Sequence, residues 1–155
     1  MTGSYQVDRA VVDAMPTAVI AAPATANDVA KTIGRLIDPV RAFVRSSGLA
    51  SGRHIVRYEG DVQSGKGTTI EVGVLVDQPF IPASVTDVRC SELPAGTVAR
   101  TVHLGHHHRI GEAHTEVRQW CAANGEIVAG PSWEIYGDWT DDPRQLRSEV
   151  LYLLR

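Results

Sequence analysis

The order of apolar and polar residues divides the chain into short strand-like runs and two longer segments of helical period. Residues 6–24, "QVDRAVVDAMPTAVIAAPA", predict one or two strands with Met15-Pro16 between them. In "NDVAKTIGRLIDPVRAFVRSSG", apolar side chains recur at Val29, Ile33, Leu36, Ile37, Val40, Phe43 and Val44, the spacing of one helical face. Asn27 or Asp28 is placed to cap its start and Gly48 to stop it. Pro39 inside this helix predicts a kink, or a restart capped by Asp38. "RHIVRYEG" and "TTIEVGVLV" then read as strands joined by a Gly/Ser-rich turn around "QSGKG".

The same order recurs in the second half. "VRCSELPAGTVARTVHLG" is strand material around Leu93-Pro94. "HHRIGEAHTEVRQWCAANG" carries Ile110, Ala113, Val117, Trp120 and Cys121 at helical spacing and ends at Gly125. "SWEIYGDW" and "LRSEVLYLL" follow as two more strands. A shift of 78 positions carries Pro16 onto Pro94, Tyr58 onto Tyr136 and Glu71 onto Glu149, while Gly48 misses Gly125 by one. This is the pattern of an internal duplication, with repeat one at about 5–78 and repeat two at about 86–155. The expected fold is α+β. Two β-α-β-β modules join their sheets about a pseudo-two-fold axis, with both helices on one face and a concave, partly open ligand cleft on the other.

Composition narrows the function classes. A chain of 155 residues fits a single domain, with 43% hydrophobic and 21% charged residues, ordinary for a globular protein. The net charge of −3 argues against direct binding of nucleic acid, which recruits basic patches. No apolar run approaches the ~20 residues of a membrane span. The N-terminus lacks the basic-then-apolar layout of a signal peptide, so the expected location is the cytoplasm. Cys90 and Cys121 match no metal or redox spacing.

Chemistry is concentrated in "GPSWEIYGDW". Side chains two apart on a strand share a face, so Glu134 goes with Ser132 and Tyr136, while Trp133 and Ile135 point the other way. A bare buried carboxylate is costly. Glu134 is either a solvated residue of an outer sheet face or a pocket acid awaiting a cation, to which aromatic faces add attraction. Tyr58, on the equivalent strand, is expected across the groove from Tyr136. Glu71 and Glu149 occupy matched positions, as pocket carboxylates or as exposed ion-pair partners, with Arg147 placed to neutralise Glu149. Trp139 is a candidate for the rim, Trp120 for the core, and Trp133 for packing beneath the helices.

"HLGHHHRIGEAH" supplies His103, His106, His107, His108 and His114 but completes no zinc motif. No metal site is expected. The three consecutive histidines read instead as the loop and first turn of the second helix, one of them overhanging the groove. "QSGKGTT" lacks the spacing of a phosphate loop, and no Gly-x-Ser-x-Gly elbow is present.

"LPAGTVARTVHLG", the helix ending "CAANG", "GPSWEIYGDW", "DDP" and "LRSEVLYLL" together resemble the GyrI-like small-molecule-binding domain, the effector-binding module of BmrR- and Rob-type multidrug regulators. "SSGLASGRHIVRY" and "TTIEVGVLV" fit that family's first repeat. The resemblance implies an SHS2-like duplicated fold with a cleft between the modules and Glu134 at its floor. It implies Tyr136, Tyr58 and Glu149 as further ligand-binding candidates, with His107 where the family commonly carries an aromatic; Trp139 and Glu71 join the candidates from their own positions in the sequence. The expected partner is a small amphipathic molecule, cationic or electrophilic, that a stand-alone domain sequesters or senses. An alternative is a hydrolase that opens cyclopropane-type electrophiles, with Glu134 or Glu149 activating water. A third is a protein partner such as DNA gyrase. No cofactor is implied, and oligomeric state is left open.

Overall fold

The structure, a computed structural model, describes residues 5–82, 85–138 and 141–155. The first half folds as β1 (Asp8–Val12), β2 (Met15–Ala24), α1 (Val29–Ser47), β3 (Ser51–Tyr58) and β4 (Thr68–Val76). The second half repeats the order as β5 (Arg89–Leu93), β6 (Gly96–Leu104), α2 (Ile110–Ala123), β7 (Val128–Tyr136) and β8 (Arg147–Leu154). A turn of 3-10 helix at His107–Arg109 precedes α2.

α1 begins after Asp28 and stops at Gly48, whose φ of 80° is open to a residue without Cβ. The restart offered at Pro39 does not occur, and α1 runs unbroken through it. Pro39 lies on the exposed side, where water can take the backbone carbonyl that its missing N–H leaves free.

All eight strands form one antiparallel sheet in the order β1-β6-β8-β7-β3-β4-β2-β5. The initial strands are exchanged: β1 pairs with β6, and β5 pairs with β2. β5 and β6 stand far apart in that order, yet only Pro94-Ala95 separates them in sequence. The sheet must therefore curl to bring its ends together.

The curl fills one face. Leu93 of β5 and Val98 of β6 pack with Val19, Ile55, Trp133, Ile135 and Leu151, and Ala10 and Val12 of β1 join them. Trp133 is thus in the core opposite the helices, not beneath them. α1 packs on the other face through Val40 and Val44 against Ala18 and Val74, and α2 through Ala113, Val117 and Cys121 against Ala99 and Val150. Each helix covers the outer strands of its own module. Central strands β3 and β7 form the floor of the gap left between the helices. The cleft accordingly opens on the helix-bearing face, opposite to the sequence expectation.

The duplication holds in the central strands. β3 and β7 end at Tyr58 and Tyr136, which face Ile70 and Ser148 across the next ladders. The proline landmark does not hold: Pro16 lies inside β2, whereas Pro94 lies in the link before β6. Between β3 and β7, Val56 pairs directly with Glu134. These two are also counterparts under the 78-residue shift, so the pseudo-two-fold axis passes between them.

Candidate functional site

Glu134 stands on that axis. It is only 1% exposed, and its carboxylate accepts a hydrogen bond from each half of the duplication. The Tyr58 hydroxyl donates to Oε2 at 3.1 Å, and the Tyr136 hydroxyl donates to Oε1. Burial first, and the Glu134 charge second, push both phenols well above their ordinary range. Both therefore keep the proton that the carboxylate needs. A third contact comes from α2, where His114 Nε2 lies 2.7 Å from Oε2. This donor set answers how an acid survives among aromatic rings: hydrogen bonds to a charged acceptor offset much of its desolvation.

Beyond His114 the network continues. Its Nδ1 is 2.7 Å from the Tyr152 hydroxyl, and Arg118 donates to that hydroxyl oxygen at 2.9 Å. The His114 ring meets Tyr58 and Tyr152 edge-on, with centroids 5.7 and 5.5 Å apart.

Above this floor lies a cleft of about 1240 Å³, ample for a drug-sized molecule. Its walls differ. α1 contributes Val29, Ala30, Ile33 and Ile37, while α2 contributes His114, Thr115 and Arg118 beside Ile110. His107 closes one edge, its ring 5.0 Å from that of Tyr136. Burial lowers the His107 pKa, against an opposing pull from Glu134. His54 also lines the cleft and is lowered by burial, with Arg41 adding to the effect.

Of the residues singled out from sequence, Glu134, Tyr58, Tyr136 and His107 converge here. Glu149 and Glu71 do not. Glu149 pairs across the ladder with Ile135, whose side chain belongs to the opposite core, so strand alternation turns it away from Glu134. It meets Arg53 at 3.3 Å, not Arg147, in a separate groove on the far face. Glu71 shares that orientation, held by Arg89 at 3.1 Å and by the Ser91 hydroxyl at 2.7 Å. Trp139 lies outside the described residues. Among the described residues, no group of three or more His, Cys, Asp or Glu could hold a metal.

Tyr152 and Arg118 were not singled out, and His114 was named only within the histidine cluster. His114 follows Ile110 by four positions and so lies on the inward stripe of α2, a signal visible in sequence. Tyr152 needed the β7–β8 register, which sets Ser132 opposite Tyr152 and Glu134 opposite Val150.

Residues 12–154 match the GyrI-like small molecule binding domain. The chain belongs to that family. Among solved structures, the GyrI-like fold seen here superposes on the EcmrR C-terminal domain with a TM-score of 0.80 at 17% identity, covering 99% of each chain. It covers 97% of itself but 57% of the EcmrR chain in its DNA complex, again with a TM-score of 0.80. SAV2435 bound to tetraphenylphosphonium matches with a TM-score of 0.67 at 11% identity, covering 99% of this chain and 94% of that one. A hydrolase from Listeria innocua matches with a TM-score of 0.63 at 10% identity, covering 97% and 92%. No curated protein matches the GyrI-like sequence. Among the described residues, no helix is long and apolar enough to cross a membrane.

Proposed function

We propose that this GyrI-like domain binds an amphipathic, cationic small molecule in the cleft between α1 and α2. The observation that carries the reading is Glu134, a buried carboxylate that lines the cleft and is held by hydroxyl and imidazole donors, with no arginine bonded to it among the described residues. The cation sits at Glu134 among the edges and faces of Tyr58, Tyr136 and His107, and the apolar body lies along α1. The tetraphenylphosphonium complex of SAV2435 supports the choice of probe. Titration calorimetry with tetraphenylphosphonium tests it. Glu134→Gln weakens binding by about 1–3 kcal/mol, the range for losing a charged partner. Equal affinity of the two proteins overturns the electrostatic part.

A second reading, hydrolysis of a strained electrophile, is favoured by the hydrogen-bond chain behind Glu134. Glu134 takes a proton from water, and the hydroxide adds to a ring carbon as the strained bond opens. Tyr58 or Tyr136 protonates the departing carbon and recovers its proton from Glu134. Glu149 has no part in this, since it lies on the far face. Mass spectrometry of a cyclopropane electrophile incubated with the protein distinguishes the readings. A water adduct formed with turnover marks the enzyme, and unchanged compound marks the binder.

A further inference from the structure

The cleft carries a second charge that the cation reading leaves unused. Arg118 lies one turn beyond His114 on α2, so both fall on one stripe of the helix, and both line the cleft. The guanidinium is tied to the floor at one point, where Nη1 donates to the Tyr152 hydroxyl at 2.9 Å. Arginine has five N–H donors and no acceptor. Among the described residues, no other hydrogen bond and no ion pair engages this one. Arg118 is exposed, so its charge stands at the mouth of the cleft while that of Glu134 is buried at the floor.

Ladder register fixes the direction from one charge to the other. Ser132, not Glu134, lies opposite Tyr152, so Arg118 stands on the Ser132 side of the carboxylate. Contacts of 2.7, 2.7 and 2.9 Å and the width of one imidazole separate Glu134 Oε2 from Arg118 Nη1. The two charges are therefore within about 11 Å of each other. The other charged side chains of the lining are engaged or lie elsewhere. Arg53 meets Glu149 at 3.3 Å, and Asp61 accepts from the Gln63 backbone N–H at 2.8 Å. Asp138 follows the opposite end of β7, beyond Tyr136.

We propose that Arg118 is an anion-binding subsite of this cleft and that the ligand is amphoteric, with a cationic centre at Glu134, a carboxylate at Arg118 and an apolar body along α1. The inference rests on the cation reading above and adds to it the other end of the molecule. The bond to Tyr152 holds one nitrogen of a planar group, so the guanidinium is ordered before a ligand arrives and less freedom is lost on pairing. Its unused N–H groups offer the fork that the two oxygens of a carboxylate match. The arrangement also discriminates. A ligand with a second cation at that end meets a like charge, and an anion without a cationic centre leaves Glu134 unmatched.

The test compares two probes that share a cation, pentyltriphenylphosphonium and (carboxybutyl)triphenylphosphonium, in which a carboxylate replaces the terminal methyl group. Both are titrated calorimetrically at about pH 8, where ordinary histidines are neutral. The unmodified protein is expected to bind the carboxylate probe more tightly by on the order of fivefold, the upper range for an ion pair open to water. Arg118→Gln abolishes that preference and leaves the pentyl probe bound within about twofold, whereas Arg118→Lys keeps part of it, as a point charge without the fork. If Arg118→Gln weakens both probes equally, the residue only supports Tyr152 and the subsite is overturned. Loss of the preference in Arg53→Gln instead overturns the assignment to Arg118. Equal affinity of the unmodified protein for the two probes overturns the amphoteric ligand and leaves the cation reading standing. Binding of neither probe overturns both.

Discussion

At the scale of residues, the site is a single carboxylate shared by two halves of a duplication. Tyr58 and Tyr136 are counterparts, and both donate to Glu134, whose own counterpart is Val56. The asymmetry is chemical: hydrocarbon in one module stands where the other carries charge. Removing one donor leaves a buried anion short of a hydrogen bond. Tyr136→Phe is therefore expected to cost about 1–3 kcal/mol in urea denaturation, and less in a Glu134→Gln background, where the acceptor is neutral. Equal costs in both backgrounds would show that the bond to the charged group is not what Tyr136 contributes. His54 and His107 give a second prediction. Their folded pKa values are lowered by burial, so below about pH 6.5 the unfolded chain binds protons that the folded one refuses. Their stability contribution is present above that value and is lost as pH falls through it. Denaturation midpoints should decline from pH 7 to 5, and less steeply in a His54→Asn/His107→Asn variant.

At the scale of elements, helix and strand assignments were legible because the periods differ. The stripe from Val29 to Val44 reads at 3.6 residues, and "SWEIY" at 2. At Pro39 the helix continues rather than restarts; the residue faces solvent, and tertiary packing decides which side of a helix a proline occupies. Gly73 makes a related point in β4. A Cβ there would come 1.8 Å from the Ala18 carbonyl oxygen of β2, a contact with backbone that no rotamer relieves. Gly73→Ala is expected to destabilise the sheet by at least about 3 kcal/mol or prevent folding, placing it among the severe single substitutions. Near-native stability of that variant in denaturant would mean that β2 and β4 can separate without loss.

At the scale of the whole molecule, the exchanged strands β1 and β5 curl the sheet around Trp133. That closure decides the location of the cleft. The face filled by Trp133, Ile55, Leu93 and Leu151 is closed at its centre, whereas the gap between α1 and α2 is floored by β3 and β7. Trp133 is 2% exposed, and Trp133→Ala is expected to cost about 3–5 kcal/mol by emptying the centre of the curl. Thermal denaturation checks this. A loss under about 1 kcal/mol would remove Trp133 from the core that the curl encloses.

Local patterning alone carried the duplication, the α+β class, and the grouping of Glu134 with Tyr136 on one strand face, because alternation and helical period are properties of neighbours in sequence. It also paired Glu149 with Glu71 correctly as counterparts. It could not say which face either pair occupied, since a strand pattern is unchanged when its two sides are exchanged. Only the tertiary structure decided that the helices border the cleft, that Glu149 faces away, and that His114, Tyr152 and Arg118 stand behind Glu134. The bonds that tie His114, Tyr152 and Arg118 to Glu134 join residues 20 to 38 positions apart, and no short-range pattern encodes ladder register or helix placement.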